Sequence, residues 1–293
     1  METARYRAFL TVAEVGSIKK AADVMGYTSS AVSQLIHALE KELNLTLFLR
    51  GKRGMQLTSS GEMLIPAVTK LVSQENTIIQ LADNLNGMIS GRINIASYHS
   101  LSSAWMPDLV SAFQNEYPKV RINIYEGTQR DIMERLANGR ADLAFFNNSA
   151  MTGTYDWIPL REDPMMAVIP VDHKMADAKS FPVKMFKGER FIMPEHGFDY
   201  DVLSVLGKAN VTPDVYLSTF DSNILLEMVE KGLGVSMING ISIKEEDKSR
   251  NVRILPLEPP QSIEMGIAVM SLNEAATAVK KFINMAVRII ADK

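Results

Sequence analysis

Residues 17–61 read SIKKAADVMGYTSSAVSQLIHALEKELNLTLFLRGKRGMQLTSSG. No other stretch constrains the fold as strongly. Arg5 to Val15 forms a first helix, with Phe9, Val12 and Ala13 repeating at i, i+3 and i+4. Gly16 stops it, and Ser17 is a good N-cap for a second helix with Ala21, Ala22 and Met25 facing inward. Ala22 is small where two helices cross. Gly26 sits at the turn, where positive φ is needed. Thr28 or Ser29 then caps a third helix running to about Leu43.

The third helix has two faces. Val32, Ile36, Leu39 and Leu43 form its buried stripe. Ser30, Ser33, Gln34 and His37 lie opposite, and few carboxylates share that face. A polar stripe commonly does no more than face water. Hydroxyls, an amide and an imidazole can also reach base edges and phosphates. A hairpin follows, from Leu47 to Leu57, anchored by Phe48 and Leu57. It carries Arg50, Lys52 and Arg53 around Gly51 and Gly54. Cations on a hairpin suit phosphate or minor-groove contacts. Helix, turn, helix and basic hairpin are the sequence form of a winged helix-turn-helix. Charge agrees: residues 1–61 hold eight Lys or Arg against five Asp or Glu, a net of +3, in a chain of net charge −3.

The residues Phe9, Val12-Ala13-Glu14, Gly16-Ser17, Ala21-Ala22, Ala31-Val32-Ser33, Ile36, Leu39-Glu40, Leu45, Leu47-Phe48, Arg50, Leu57-Thr58 and Gly61 together resemble the LysR-type transcriptional regulators. The likeness continues more loosely along the whole chain. It implies an α/β fold overall: an N-terminal winged helix-turn-helix, a long linker helix and a C-terminal two-lobed, periplasmic-binding-protein-like α/β domain. The implied DNA-binding domain is 1–58, with the helix-turn-helix at 18–37. Ser29, Ser30, Ser33, Gln34 and His37 would face the groove, with Arg50 and Arg53 as wing cations; the basic hairpin adds Lys52 to the DNA-binding set. The chain departs from the family pattern at Leu35, where glutamine is usual. It departs again at Gln34 and His37, often Arg or Lys, and at Ser30, often Pro. Leu35 lies beside the core stripe and is placed to pack. Such a base-reading set is unusual, and no operator sequence carries over from relatives.

Thr58 caps a long helix predicted to run to about Met88. Leu64, Val68, Leu71, Glu75, Ile78, Ala82, Leu85 and Ile89 alternate in steps of four and three, a heptad seam that favours a dimer interface over a solitary helix. Glu75 interrupts the seam, and Pro66 should bend the helix. The linker is therefore 59–90, with Gly87 and Gly91 as hinge.

Beyond it, strands alternate with helices: Arg92–Ser97, helix Ser102–Tyr117, Arg121–Glu126, helix Gln129–Asn138, Ala141–Phe146. This predicts a βαβαβ unit with a parallel sheet. A second unit recurs: Phe191–Met193, helix Tyr200–Ala209, Val215–Leu217, helix Ser222–Lys231, Val235–Ile238. Strand Met265–Met270 and helix Glu274–Ala291 close the chain. The effector-binding domain is placed at 91–293, with lobe I at 91–161 and 269–293 and lobe II at 162–268. Ligands in such folds sit between lobes at strand C-termini. The expected contacts are Ser97, His99 and Ser100 after the first strand, Thr128 after the second and Asn147 after the third. His196 and Phe220 are expected from the second lobe. A plain helix cap is the competing role for each Ser or Thr. The resemblance singles out Ser100 and Thr128, and a small effector, with carboxylate chemistry foremost, is expected.

The absence of cysteine excludes disulfides and thiolate chemistry. No two histidines stand at i+3 or i+4, and neither HExxH nor GxSxG occurs. No enzyme activity, metal or cofactor is expected. No leader opens the chain and no apolar run approaches ~18 residues, so no membrane partner is expected and the cytoplasm is the predicted location. A solute-binding protein of transport fits poorly with the basic N-terminal domain. The expected partners are double-stranded operator DNA, a small effector and further copies of the chain, as homodimer or homotetramer. The resemblance also admits RNA polymerase.

Overall fold

The computed structural model describes residues 3–51, 54–85, 89–147, 154–194, 200–244, 247 and 249–291. Three helices open the chain: α1 (Thr3–Val15), α2 (Ile18–Met25) and α3 (Ser29–Leu43). Ser17 Oγ accepts from Lys20 N, and Thr28 Oγ1 accepts from Ala31 N at 3.2 Å, so Thr28 is the α3 cap. Gly26 and Asn44 close α2 and α3 in the left-handed conformation, at φ 68° and 52°. Phe9, Val12, Ala21, Val32, Ile36 and Leu39 meet in one core with Leu47 and Phe48.

The hairpin pairs β1 (Phe48–Gly51) with β2 (Gly54–Leu57) from Phe48↔Leu57 to Gly51↔Gly54. It is seated on the α1–α2 turn: Met55 N donates to Gly16 O at 2.8 Å. Gly54 has φ +106°, and a Cβ there would lie 2.4 Å from Gly16 O. No larger residue can hold the wing this close.

Helix α4 (Ser59–Leu85) is capped by Thr58, whose Oγ1 accepts from Gly61 N at 3.0 Å. Pro66 lies inside it. Its seam divides. Ile65 and Val68 join the N-terminal core, with Leu64 packed against it, whereas Leu71 and Ile78 are exposed. Glu75, the residue that breaks the heptad pattern, faces α1. It accepts from Thr3 Oγ1 at 2.7 Å and from Arg7 Nε and Nη2 at 3.0 and 2.8 Å. The interruption is a strap between helices. The Thr3 hydrogen bond, with Arg7 behind it, holds the Glu75 carboxyl below its ordinary value despite partial burial. A lowered folded pKa contributes stability above the ordinary glutamate range, lost as pH falls through the lowered value. Glu75→Gln is therefore expected to cost about 1 kcal/mol or less at neutral pH, and to flatten the acid limb of a thermal-stability profile of the α1–α4 unit. An unchanged acid limb would show that the strap contributes nothing.

The remainder is α/β. Strands β3 (Gly91–Ser97), β4 (Val120–Glu126) and β5 (Leu143–Asn147) are parallel, with α5 (His99–Glu116) and α6 (Gln129–Ala137) between them. Helix α5 starts three residues before its predicted position because Leu101 extends the buried stripe of Trp105, Leu109 and Phe113 by one turn. The sheet is mixed rather than purely parallel. A fifteen-residue strand, β6 (Asp156–Pro170), was not foreseen. Farther along come β7 (Phe181–Pro182), β8 (Arg190–Pro194), α7 (Tyr200–Lys208), β9 (Asp214–Thr219), α8 (Ser222–Glu230) and β10 (Ser236–Asn239). The series ends with β11 (Val252–Glu258), also unforeseen, β12 (Ser262–Val269) and α9 (Thr277–Ala291). The main order is β4-β3-β5-β12-β6-β11-β7, and β10 also pairs with β6. One end of β6 pairs with β12, the other with β10 and β11, all antiparallel. Strands β8 and β9 are parallel and reach the rest through the Phe191–Val235 bridge. The rings of Phe113, Phe145 and Phe282 interlock in the larger core.

Candidate functional site

Two surfaces emerge. On the first, α3 buries Val32, Ile36 and Leu39 and exposes Ser29, Ser30, Ser33, Gln34 and His37. Leu35 is partly buried and packs on the core, as its spacing suggested. Ser30 Oγ lies 3.0 Å from Thr28 Oγ1, so one short hydroxyl is tied to the helix cap. Ser33, Gln34 and His37 stand clear on successive turns. Arg50 is exposed on β1, and Lys52 and Arg53 lie outside the described residues. The sequence reading overlooked Tyr27 and Val24, which expose large side chains just before α3. Their signal was apolarity at positions with no place in the α2 stripe. The domain core is complete without the exposed face, so that face is available to a partner of groove-like shape.

The second surface is a cleft that encloses about 90 Å³ and opens to solvent. It lies between the first turn of α5 and a wall from α7, α8 and the segment after β10. His99, Ser100 and Phe220 line it, as expected. Asn147 lies directly behind the lining: its Nδ2 donates to Asp201 Oδ2 at 2.5 Å and stands 3.5 Å from the Tyr98 hydroxyl. This amide joins β5 to α7 across the chain's two α/β units. His196 lies outside the described residues.

Two expected contacts sit elsewhere. Ser97 is fully buried and its Oγ donates to Tyr98 O at 3.0 Å; as the last residue of β3 its side chain turns into the core. Thr128 spends its hydroxyl and N–H in a capping box with Asp131, which holds the Asp131 carboxyl below its ordinary range. The next residue, Gln129, lines the cleft instead. Sequence reasoning also missed Asp201, Asn239 and Ser242. Asp201 had a signal, since an acid in a first helical turn beside a strand end is placed to face a ligand. The other two depend on Asp163, buried on the unforeseen β6. Asp163 Oδ2 accepts from Ile241 N at 3.0 Å and so shapes the 3-10 turn Gly240–Ser242. Burial pushes the Asp163 carboxyl up, against the pull of the Ile241 and Gly240 N–H groups and Arg161. Among the described residues no group of His, Asp and Glu could hold a metal ion, and no helix is long and apolar enough to cross a membrane.

Comparison with known proteins agrees with this architecture. Residues 3–62 match the bacterial regulatory helix-turn-helix protein model of the lysR family, and residues 86–289 match the LysR substrate binding domain. The chain is 28% identical over 287 residues to YvbU of Bacillus subtilis (strain 168), described as an uncharacterised HTH-type transcriptional regulator, covering 98% of each chain. Its fold is similar to that of a full-length OxyR variant from Pseudomonas aeruginosa, with TM-score 0.78 at 20% identity, over 99% of this chain and 97% of that one. It is also similar to full-length CbnR in complex with its target DNA, with TM-score 0.66 at 15% identity, over 98% of this chain and 99% of that one. With its helix-turn-helix and its substrate-binding domain both matched, the chain belongs to the LysR family of bacterial DNA-binding transcriptional regulators.

Proposed function

We propose that this regulator works in the cytoplasm, as a homodimer or homotetramer, and that it is not an enzyme. In this reading residues 1–58 bind DNA and residues 59–90 join copies of the chain. Residues 91–293 bind a small effector between lobe I (91–161 and 269–293) and lobe II (162–268). Ser29, Ser30, Ser33, Gln34 and His37 face the major groove; Arg50, Lys52 and Arg53 hold the backbone. The observation that carries this is the exposed polar face of α3 beside a wing locked to the α1–α2 turn. The likeness to CbnR bound to its target DNA supports it. Exposure of Leu71 and Ile78 along α4 supports the role of 59–90. Effector binding would shift the population between arrangements of the oligomer and so alter the spacing or bend of bound DNA.

Base-reading and backbone-holding residues are separable by mutation. Ser33→Ala and Gln34→Ala are expected to relax operator preference by about 1–3 kcal/mol for each lost base contact. Arg50→Ala is expected to weaken all DNA binding and lower the salt slope by about one. Anisotropy titrations against operator and scrambled duplexes at several salt concentrations read both effects. If neither change alters DNA binding, the assignment of α3 and the wing fails.

A further inference from the structure

We infer that a second groove, at the starts of β3 and β4 and so at the far end of the sheet from the cleft, takes a small anion with two or more phosphate groups. This site stands whether or not the α3 and cleft assignments hold. The sequence marks it by a repeat. Strand β3 carries Arg92-Ile93-Asn94-Ile95, and β4 carries Arg121-Ile122-Asn123-Ile124. The two strands are parallel, with Arg92 beside Arg121 and Asn94 beside Asn123, so these four side chains share one face. Parallel strands usually present apolar residues on both faces. Like charges set side by side across strands repel. An anion lying across both guanidinium groups offsets that repulsion.

The same face opens on a groove that encloses about 670 Å³, within the range of small-molecule sites. Arg92, Arg121, Arg135 and Arg140 line it from the α/β unit, and Arg7 lines it from α1. Only two acids, Glu14 and Asp142, share the described lining. Internal partners occupy part of this positive charge. Arg7 is bonded to Glu75 and Asn76. Arg92 favours the charged form of Asp142, whose Oδ2 also accepts from Asn94 N at 2.6 Å. The Arg135 guanidinium lies over the Tyr125 ring, 4.3 Å from its centroid. Arg121 and Arg140 are exposed and have no ion pair among the described residues. The surplus charge therefore sits on the α/β wall.

A guanidinium fork matches phosphate oxygens two at a time. Several forks around one groove call for several anionic oxygens on one ligand, which a chain of phosphates supplies. Helix α4 packs on β3 along the groove, so a DNA duplex cannot enter. The wall from α1 and α4 adds Leu10, Val72 and Ile79, an apolar side for the organic part of a phosphorylated molecule. A ligand held there touches both the α1–α4 unit and the α/β unit, and so couples them.

Calorimetry on the full-length protein, without metal ions and at one ionic strength, compares inorganic tripolyphosphate, adenosine triphosphate and adenosine. At least one of the two phosphate compounds is expected to bind, and to lose about tenfold or more in affinity in the double variant Arg121→Ala, Arg140→Ala, while adenosine does not bind. Tighter binding of the nucleotide than of tripolyphosphate assigns an organic phosphate. Nucleotide binding no tighter than that of tripolyphosphate assigns the phosphate chain alone. Arg140→Ala by itself changes one exposed side chain; a smaller loss there carries the test if the double variant misfolds. Arg50→Ala separates the groove from the basic wing and is expected to leave tripolyphosphate binding unchanged. The inference is overturned if neither phosphate compound binds, if adenosine binds as tightly, or if the double variant keeps full affinity. A loss in Arg50→Ala as large as in the double variant overturns it too.

Discussion

Phe9→Ala is expected to unfold the DNA-binding unit while leaving the α/β unit folded. Phe9 is fully buried at the meeting of α1, α3 and the wing, with its ring centroid 5.5 Å from that of Phe48. Removing a buried phenyl ring costs about 3–5 kcal/mol. A unit of roughly 60 residues has little stability in reserve. Both tryptophans, Trp105 and Trp157, lie in the α/β unit, so their fluorescence reports that unit, whereas helical circular dichroism reports both. In urea the variant should lose part of its helical signal early, with the tryptophan transition unmoved and DNA binding abolished. Equal movement of both transitions would mean that the two units fold as one.

Gly266→Ala is expected to give the converse result. Gly266 lies on β12 where its pairing with β6 shifts register. A Cβ there would sit 2.5 Å from Ile158 O and 2.5 Å from Trp157 Cζ2. Neither can yield easily: one is backbone, and the indole is fixed by Nε1 donating to Glu264 Oε1 at 2.6 Å and by an edge-to-face contact with Phe146. Overpacking at such a point costs about 1–3 kcal/mol, and more where backbone must shift. The tryptophan transition should move to lower urea while the α1–α4 unit still binds DNA without regulation by ligand. An unmoved tryptophan transition would show that the strands can separate here at little cost.

These two positions also mark what could be read from sequence. The Phe9 environment was legible because α1 to α3 follow one another closely, with local caps at Ser17 and Thr28 and a simple helical period. The core stripe and the exposed face of α3 emerged as expected, and Leu35 packs as its spacing implied. Gly266 was not legible. Its partner strand β6 interleaves Asp, Arg, Glu and Pro with apolar residues and switches partners midway, so no single alternation runs through it. The cleft was half legible for the same reason. Strand ends located His99, Ser100 and Phe220, but Asn239 and Ser242 depend on a turn held by Asp163 from that unforeseen strand. Thr128 and Ser97 show the limit of composition: a hydroxyl after a strand caps a helix or serves the core as readily as it meets a ligand. Glu75 is the reverse case, since a break in a heptad pattern marked a real contact whose partners, Thr3 and Arg7, lie some 70 residues away in sequence.

On the proposed reading, α3 and the wing read a DNA sequence. Selection by the full-length protein from a pool of random-sequence duplexes tests it most directly. A single enriched motif is expected, with two-fold related half-sites, whose binding survives excess scrambled competitor and whose enrichment falls when Ser33 and Gln34 are replaced by Ala. A pool that stays random, with binding that disappears as salt rises, would contradict it.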